Sequence, residues 1–271
     1  MCLLVLAWRV HPRYRLVVAA NRDEFHERPA AALARWTEGP DILGGKDLSA
    51  GGTWLALDAS RRFGVVTNFR DLQRPAAHAP SRGELIPGFL AQPAAAGEFL
   101  RALAPEAPRY SGFNLLLSDE RALWYASNRA QPFARELSPG LYGLSNHLLD
   151  TPWPKLARVR RAFRAWLDGA SDESADRLLE ILADRTPAGA EEPLPETGLG
   201  EAWERVLSAP FVLHPQYGTR CSTVLMIAAD GALSLRERRF DASGVVSGDT
   251  DVRLAPGAWA GERAAMNPRG I

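Results

Sequence analysis

Thiols are scarce in this chain. Of its 271 residues only Cys2 and Cys221 are cysteine, too few for a disulfide framework or a cysteine zinc site. A reducing compartment suits them. Lysine is scarcer still in proportion: of 32 basic residues all but Lys46 and Lys155 are arginine. With alanine abundant as well, that excess reads as genome composition. The run Arg158, Arg160, Arg161 and Arg164 is therefore read as a solvated helix face. Net charge is zero, which argues against nucleic acid or an anionic membrane as partner. No apolar run reaches the length of a bilayer span. The apolar start has no basic region before it and no small-residue cleavage site after it, unlike a signal peptide. A cytoplasmic protein without an integral membrane segment is expected. His26, His78, His147 and His214 lack metal-ligand spacing, so no metal site is expected.

What is present is globular: 46% hydrophobic and 24% charged residues, long enough for a large core. Alternation predicts strands over 2–10 and 15–20, joined by a turn at His11-Pro12-Arg13-Tyr14, with a polar loop over 21–29. A second hairpin is predicted over 53–58 and 63–69. Gly44-Gly45 and Gly51-Gly52 do not match a phosphate loop and read as tight turns. Ser81-Arg82-Gly83-Glu84 has the form of a capping box opening a helix. Helical periodicity continues at 93–103, 154–167, 171–183 and 201–207. Strands follow from 113–117, 122–126, 141–144, 222–228 and 232–240. The stretch 186–200 is an irregular connection. After Asp241 the pattern fades. One domain over 1–245 is expected, with 246–271 a poorly ordered tail. Hairpins, then helices, then hairpins is α+β order. Two antiparallel sheets between helical layers satisfy it, and so does one sheet with helices on one face.

The second residue carries the most chemistry. Removal of Met1, which a small second residue permits, would leave Cys2 with a thiol and a free α-amine in one residue. Their ordinary pKa values, about 8.5 and about 7.7–8.0, put nucleophile and base together near neutral pH. The bland alternative is a small hydrophobe opening a strand. Such a nucleophile needs a carboxylate for the amine and amide donors for an oxyanion. Asp23, just past the second strand, suits the first role, although Asn21 and Asp23 could instead form an Asx turn. Cys221 reads as a packed core thiol.

Asn21-Arg22-Asp23-Glu24 after an initial Met-Cys resembles the signature of the family named for that tetrapeptide, also called the transport and Golgi organisation protein 2 family. Gly44-Gly45-Lys46-Asp47, Gly51-Gly52-Thr53-Trp54, Val66-Thr67-Asn68-Phe69-Arg70, Gly143-Leu144-Ser145-Asn146 and Tyr217-Gly218-Thr219-Arg220 are similar to its further blocks in the same order. That family in turn resembles the N-terminal-cysteine bile-salt hydrolases and penicillin V acylases. The resemblance implies a four-layer αββα sandwich of two antiparallel sheets, the N-terminal-nucleophile hydrolase fold. It implies Cys2 as nucleophile, Asp23 as amine holder, Asn68 and Asn146 as oxyanion donors and Arg220 as the late arginine. Asn21, Arg22, Phe69 and His147, beside those positions, are the candidate substrate-binding residues. One position departs: those hydrolases carry an arginine where this chain has Ala20, and Arg22 reads as facing the other way.

Two functions follow from the resemblance. One is hydrolysis of an amide, ester or thioester acyl substrate through Cys2. The other is non-catalytic binding and trafficking of haem or of a lipid or acyl-coenzyme A on the same fold. No cofactor is expected; haem would be a transported ligand.

Overall fold

The computed structural model describes residues 2–71, 79–169 and 174–259. His78, the first residues of the 171–183 helix and the end of the expected tail lie outside them.

The chain opens with β1 (Cys2–Trp8) and β2 (Tyr14–Phe25), then β3 (Ala30–Arg35), β4 (Ile42–Asp47), β5 (Leu55–Asp58) and β6 (Phe63–Asn68). Helices α1 (Leu85–Leu90) and α2 (Ala96–Leu103) come next. They lead to β7 (Phe113–Ser118), β8 (Leu123–Ser127), β9 (Ala134–Leu137) and β10 (Gly140–Leu144). Helices α3 (Pro154–Asp168), α4 (Ala175–Leu182) and α5 (Glu201–Val206) precede β11 (Tyr217–Ala228), β12 (Leu233–Phe240) and β13 (Val246–Leu254).

Among the described residues the strands form two sheets, ordered β10-β1-β2-β11-β12-β13 and β3-β4-β5-β6-β7-β8-β9. Every pairing is antiparallel. The protein is thus α+β with two antiparallel sheets.

Strand alternation sorts the core. On β1, Leu4, Leu6 and Trp8 meet Leu55, Leu57, Phe63 and Val65 of the other sheet. Their neighbours Leu3, Val5 and Ala7 face Leu156, Val159 and Phe163 of α3 and Leu178, Leu179 and Leu182 of α4. The far side of the second sheet packs Val66, Leu115 and Leu117 on Ile86, Phe89 and Leu100 of α1 and α2. Each such buried side chain contributes about 1.5–3 kcal/mol, so β1 and β2, covered on both faces, hold the start of the chain in place. Among the described residues no helix is long and apolar enough to cross a membrane.

Three expectations need correction. The segment after Ala20 is strand, not loop: β2 runs to Phe25, paired with β11 throughout. Its polar residues are buried because they have partners, as described below. Gly44 and Gly45 lie inside β4 rather than in a turn. A Cβ at Gly45 would fall 2.3 Å from the Trp54 ring, and one at Gly44 would fall 2.7 Å from Ala56, so these glycines permit close approach. Only Gly51, with φ +76°, occupies a turn conformation that favours glycine. Finally, Val246–Leu254, read as tail, is an edge strand on β12, anchored by buried Val252 and Leu254.

Candidate active site

The first hairpin sets the site. In the β1–β2 register Cys2 lies across from Arg22. β10 pairs with β1 as far as the Leu4–Leu144 pair, and Asn146 lies two residues past the end of β10 in the bend that follows. Arg22 is two residues beyond Ala20, so both belong to the face turned towards the second sheet. The expectation that Arg22 faces the other way from Ala20 is therefore reversed. Arg22 is 6% exposed, its guanidinium lies 4.3 Å from the centroid of the Trp54 ring, and it reaches Asp47 at 3.5 Å. Arg28 holds the same Asp47 oxygen at 2.7 Å.

Asn21 and Asp23 belong to the opposite face. Asn21 donates from Nδ2 to the carbonyls of Leu182 and Pro210, both at 2.9 Å, and its Oδ1 accepts from the Ser222 hydroxyl at 2.6 Å. With all three bonds inside the protein, Asn21 ties β2 to the end of α4 and to β11. It offers no group to a substrate.

Asp23 is buried, and its Oδ1 accepts from Thr219 Oγ1 at 2.7 Å. Lys155 Nζ lies 4.0 Å from Oδ2. The Tyr217 hydroxyl donates to the Asp23 backbone carbonyl at 2.9 Å. Burial pushes the Asp23 carboxyl up; Lys155 opposes that most, followed by the amino-terminal charge, the Thr219 bond and Arg70. A β-bulge makes this set possible. The β2–β11 register shifts between Thr219 and Cys221, so Arg220 is the extra residue and the strand's phase flips there. Thr219 and Ser222, three apart, can then serve Asp23 and Asn21 on one face.

The bulge also decides Arg220. Its Nη1 donates to the His26 carbonyl at 2.8 Å. Cys221, 4% exposed, pairs in register with Arg22 and Arg239. It packs in the protein, as a core thiol should.

Asn68 ends β6, and its backbone carbonyl accepts Nδ2 of the fully buried Asn146 at 3.0 Å. Among the described residues, Asn146 Oδ1 is buried without a hydrogen-bond partner. Flipping that amide would set Oδ1 against the Asn68 carbonyl, so the orientation is fixed by the bond Nδ2 makes. The Asn146 backbone carbonyl accepts from the amide of Arg70 at 2.7 Å. Arg70 forms a buried ion pair with Glu204 at 2.5 Å and lies over Trp153 at 4.7 Å. Phe69 packs on His147 at 4.9 Å, and His147 Nδ1 meets Thr151 Oγ1 at 2.9 Å. Partial burial holds His147 below the usual histidine pKa.

A cavity of about 570 Å³ is lined by Arg22, Asp23, Asn68, Trp54, Asp47 and Arg82, among others. Three of the expected residues thus share one cleft. Asn146 supports it from beneath Asn68. Asn21, Phe69, His147 and Arg220 do not line it. A larger hollow of about 950 Å³ is lined by Tyr14, Asp176, Met226 and Arg236, at the other end of the first hairpin, and contains none of the candidates. Four contributors escaped the sequence reading: Lys155, Thr219, Trp54 and the Arg70–Glu204 pair. Lys155 had a signal, as one of two lysines in an arginine-rich chain placed beside the apolar stripe of its helix.

An α+β protein of two antiparallel sheets, with a buried acid–lysine pair and an asparagine-lined cleft at the start of its first hairpin, is the class defined so far. Comparison of sequences narrows it. Residues 1–242 match the Transport and Golgi organisation 2 family. The Homo sapiens and Bos taurus Transport and Golgi organization protein 2 homologs are each 34% identical over 256 residues, covering 88% of this chain and 92% of theirs. The Drosophila melanogaster Transport and Golgi organization protein 2 is 23% identical over 261 residues. The chain belongs to the Transport and Golgi organisation 2 family.

Proposed function

We propose that this protein is an N-terminal-nucleophile hydrolase that cleaves an amide, ester or thioester acyl substrate through Cys2 once Met1 is removed. The observation that carries the reading is the cleft beside the first hairpin. There the side-chain amide of Asn68 makes no hydrogen bond to another described residue, while its backbone is clamped by Asn146. An NH₂ group held in that way suits an oxyanion donor.

The reaction runs in two halves. The α-amine of Cys2 takes the thiol proton, directly or through water. The thiolate attacks the acyl carbon, and the carbonyl electrons move to oxygen, where Asn68 donates. Collapse expels the amine, alcohol or thiol, which leaves with the proton from the α-amine. Water then attacks the thioester, giving its proton to the amine, and releases the acid and free Cys2. Asp23 holds the amine. Asn146 gives one Nδ2 hydrogen to the Asn68 carbonyl and so positions that residue; its other Nδ2 hydrogen serves as the second oxyanion donor. Arg220 acts on the backbone around His26 and has no step. The fold reading is supported by the layer order, helices outside two antiparallel sheets, and the proposed compartment is the cytoplasm.

The test combines intact mass with turnover. Purified protein should lack Met1 and gain one acyl group from a thiol-directed acylating probe. Cys2→Ala should abolish both labelling and release from a panel of amides, esters and thioesters. Turnover that persists in Cys2→Ala sinks the mechanism. Saturable binding of haem or a lipid without Cys2-dependent release replaces it with a carrier, a role that the relatives' name, transport and Golgi organization, also fits.

A further inference from the structure

Arg22 is 6% exposed and lines the cleft, yet its guanidinium makes no hydrogen bond to another described residue. Two contacts hold it: the Trp54 ring, 4.3 Å from the guanidinium carbon to its centroid, and Asp47 Oδ2, 3.5 Å from Nη2. Packing on an indole uses the flat face of the guanidinium and leaves the N–H groups in its plane able to donate. At 3.5 Å the Asp47 contact is an ion pair without a hydrogen bond. Asp47 is engaged elsewhere. Its Oδ1 accepts the Ser49 and Ala50 amides at 3.0 and 3.1 Å, and its Oδ2 accepts Arg28 Nε at 2.7 Å. Arg28 is 39% exposed, with Glu24 also 3.9 Å from its Nε. Of this pair of arginines, the buried one lacks a close acceptor. Charged donors without acceptors are costly away from bulk water. What takes them comes through the cleft: water in the free protein, a ligand in the complex.

The geometry and the charge around Arg22 limit that ligand. A guanidinium edge offers two parallel N–H groups, which match the two oxygens of a carboxylate. Arg22 and Arg28 share Asp47, so two cations on one anion leave a single positive charge, and Glu24 lines the same cleft. A carboxylate monoanion balances that charge. A phosphate dianion would exceed it and would meet Glu24 and Asp47. Arg22 is also the register partner of Cys2, and Asn68 lines the same cleft. A carboxylate on Arg22 and a carbonyl at Cys2 therefore belong to one small molecule.

Resting on the reading of this cleft as the active site, we infer that the substrate is a carboxylate-bearing acyl compound, whose carboxylate Arg22 binds edge-on while Trp54 holds the guanidinium plane. Arg22 determines specificity: it selects the anion, and bond cleavage stays with Cys2 and its oxyanion donors. The carboxylate belongs either to the acyl group or to the leaving group, and the two cases call for different probes.

Binding is measured on Cys2→Ala, so the outcome does not depend on turnover. One probe is N-methylsuccinamate, with its carboxylate on the acyl side. The second is N-propionylglycine, with its carboxylate on the leaving side. The neutral N-methylamide of each and inorganic phosphate complete the set. Affinity is read by calorimetry, and the place of binding by the NMR signal of the Trp54 indole N–H, identified by its loss in Trp54→Phe. One carboxylate should bind about 10–100-fold more tightly than its neutral partner and shift the Trp54 signal. Which of the two does so separates the acyl side from the leaving side. Arg22→Gln should erase that ratio while the neutral probe keeps its affinity; a merely structural role would lower both alike. Equal affinity for charged and neutral probes overturns the inference, and so does the absence of saturable binding by either carboxylate. A preference that survives in folded Arg22→Gln overturns it, as does phosphate binding more tightly than both carboxylates. If Arg22→Gln does not fold, Asp47→Asn decides. It removes the competing anion, so the preference should rise about threefold or more, and an unchanged preference overturns the inference. Carboxylate selectivity without Cys2-dependent turnover keeps the site and retires only the hydrolase.

Discussion

Thr219→Val tests how Asp23 is held. The hydroxyl has two buried duties: it donates to Asp23 Oδ1 at 2.7 Å and accepts from the Val212 amide at 2.9 Å. Valine keeps the shape and loses both. A hydrogen bond to a charged group contributes about 1.5–3 kcal/mol, and an amide left buried without a partner costs about 1–3 kcal/mol. The expected loss is about 3–5 kcal/mol near neutral pH, a drop of roughly 5–9 °C in Tm for a chain of this size. Thr219→Ser, which keeps the oxygen, should lose only about 1 kcal/mol for the methyl group. The pH dependence supplies a second check. Burial raises the folded-state pKa of Asp23 above its unfolded value. Between those two values the native state binds the extra proton, so this group's contribution to stability falls as pH rises through that window. The Thr219 bond favours the carboxylate, and its loss raises the folded pKa further. The gap between wild type and Thr219→Val should thus be widest above both folded values and shrink as the solution is acidified through them. Denaturant titrations at several pH values measure it. If Thr219→Val matches Thr219→Ser at neutral pH, the Asp23 assignment is wrong.

Two further outcomes follow from the same geometry. Asn68→Ala should slow Cys2-dependent turnover by roughly 10²–10³-fold with little change in melting temperature; an unaltered rate constant would remove Asn68 as oxyanion donor. Glu204→Gln leaves the buried Arg70 without its carboxylate and should cost about 3–5 kcal/mol in chemical denaturation. The Thr197 amide and hydroxyl both bond the other carboxylate oxygen, which Gln keeps as an acceptor, so the loss should come from Arg70; a cost below about 1 kcal/mol, as for a surface pair, would refute that.

The strands and helices with clean alternation or helical period were legible. The first hairpin, the 154–167 helix and the strands over 222–228 and 232–240 announce themselves because one rule, apolar residues inwards, decides them. The misses share a cause: polar side chains satisfied by partners far away in sequence. Asn21, Arg22 and Asp23 look like loop residues until Ser222, Thr219, Trp54 and Lys155 are known to meet them. No local pattern reveals a partner some 200 residues on. Gly44-Gly45 misled for a related reason, since Gly45 makes room for Trp54 and Gly44 for Ala56 rather than for a turn. The edge strand Val246–Leu254 escaped because half of it faces solvent and its sequence, rich in Ser, Gly, Asp and Thr, resembles a tail.

The candidate site shows the same division between residue and role. Motif comparison selected Asp23, Asn68, Asn146 and Arg220 by position, and could not see that one N–H of Asn146 is given to the Asn68 carbonyl or that a bulge turns Arg220 to His26. Geometry changes the parts they play: one asparagine faces the cleft and the other fixes it. It also supplies what the motif lacked. The arginine missing at Ala20 has a counterpart on the same face at Arg22, directly across from Cys2 and held between Trp54 and Asp47. A guanidinium there is fixed by stacking and by a carboxylate that a second arginine also engages, so its charge is only partly neutralised. A departure in sequence therefore need not be a departure in electrostatics, because two residues along a strand is one step along the same face.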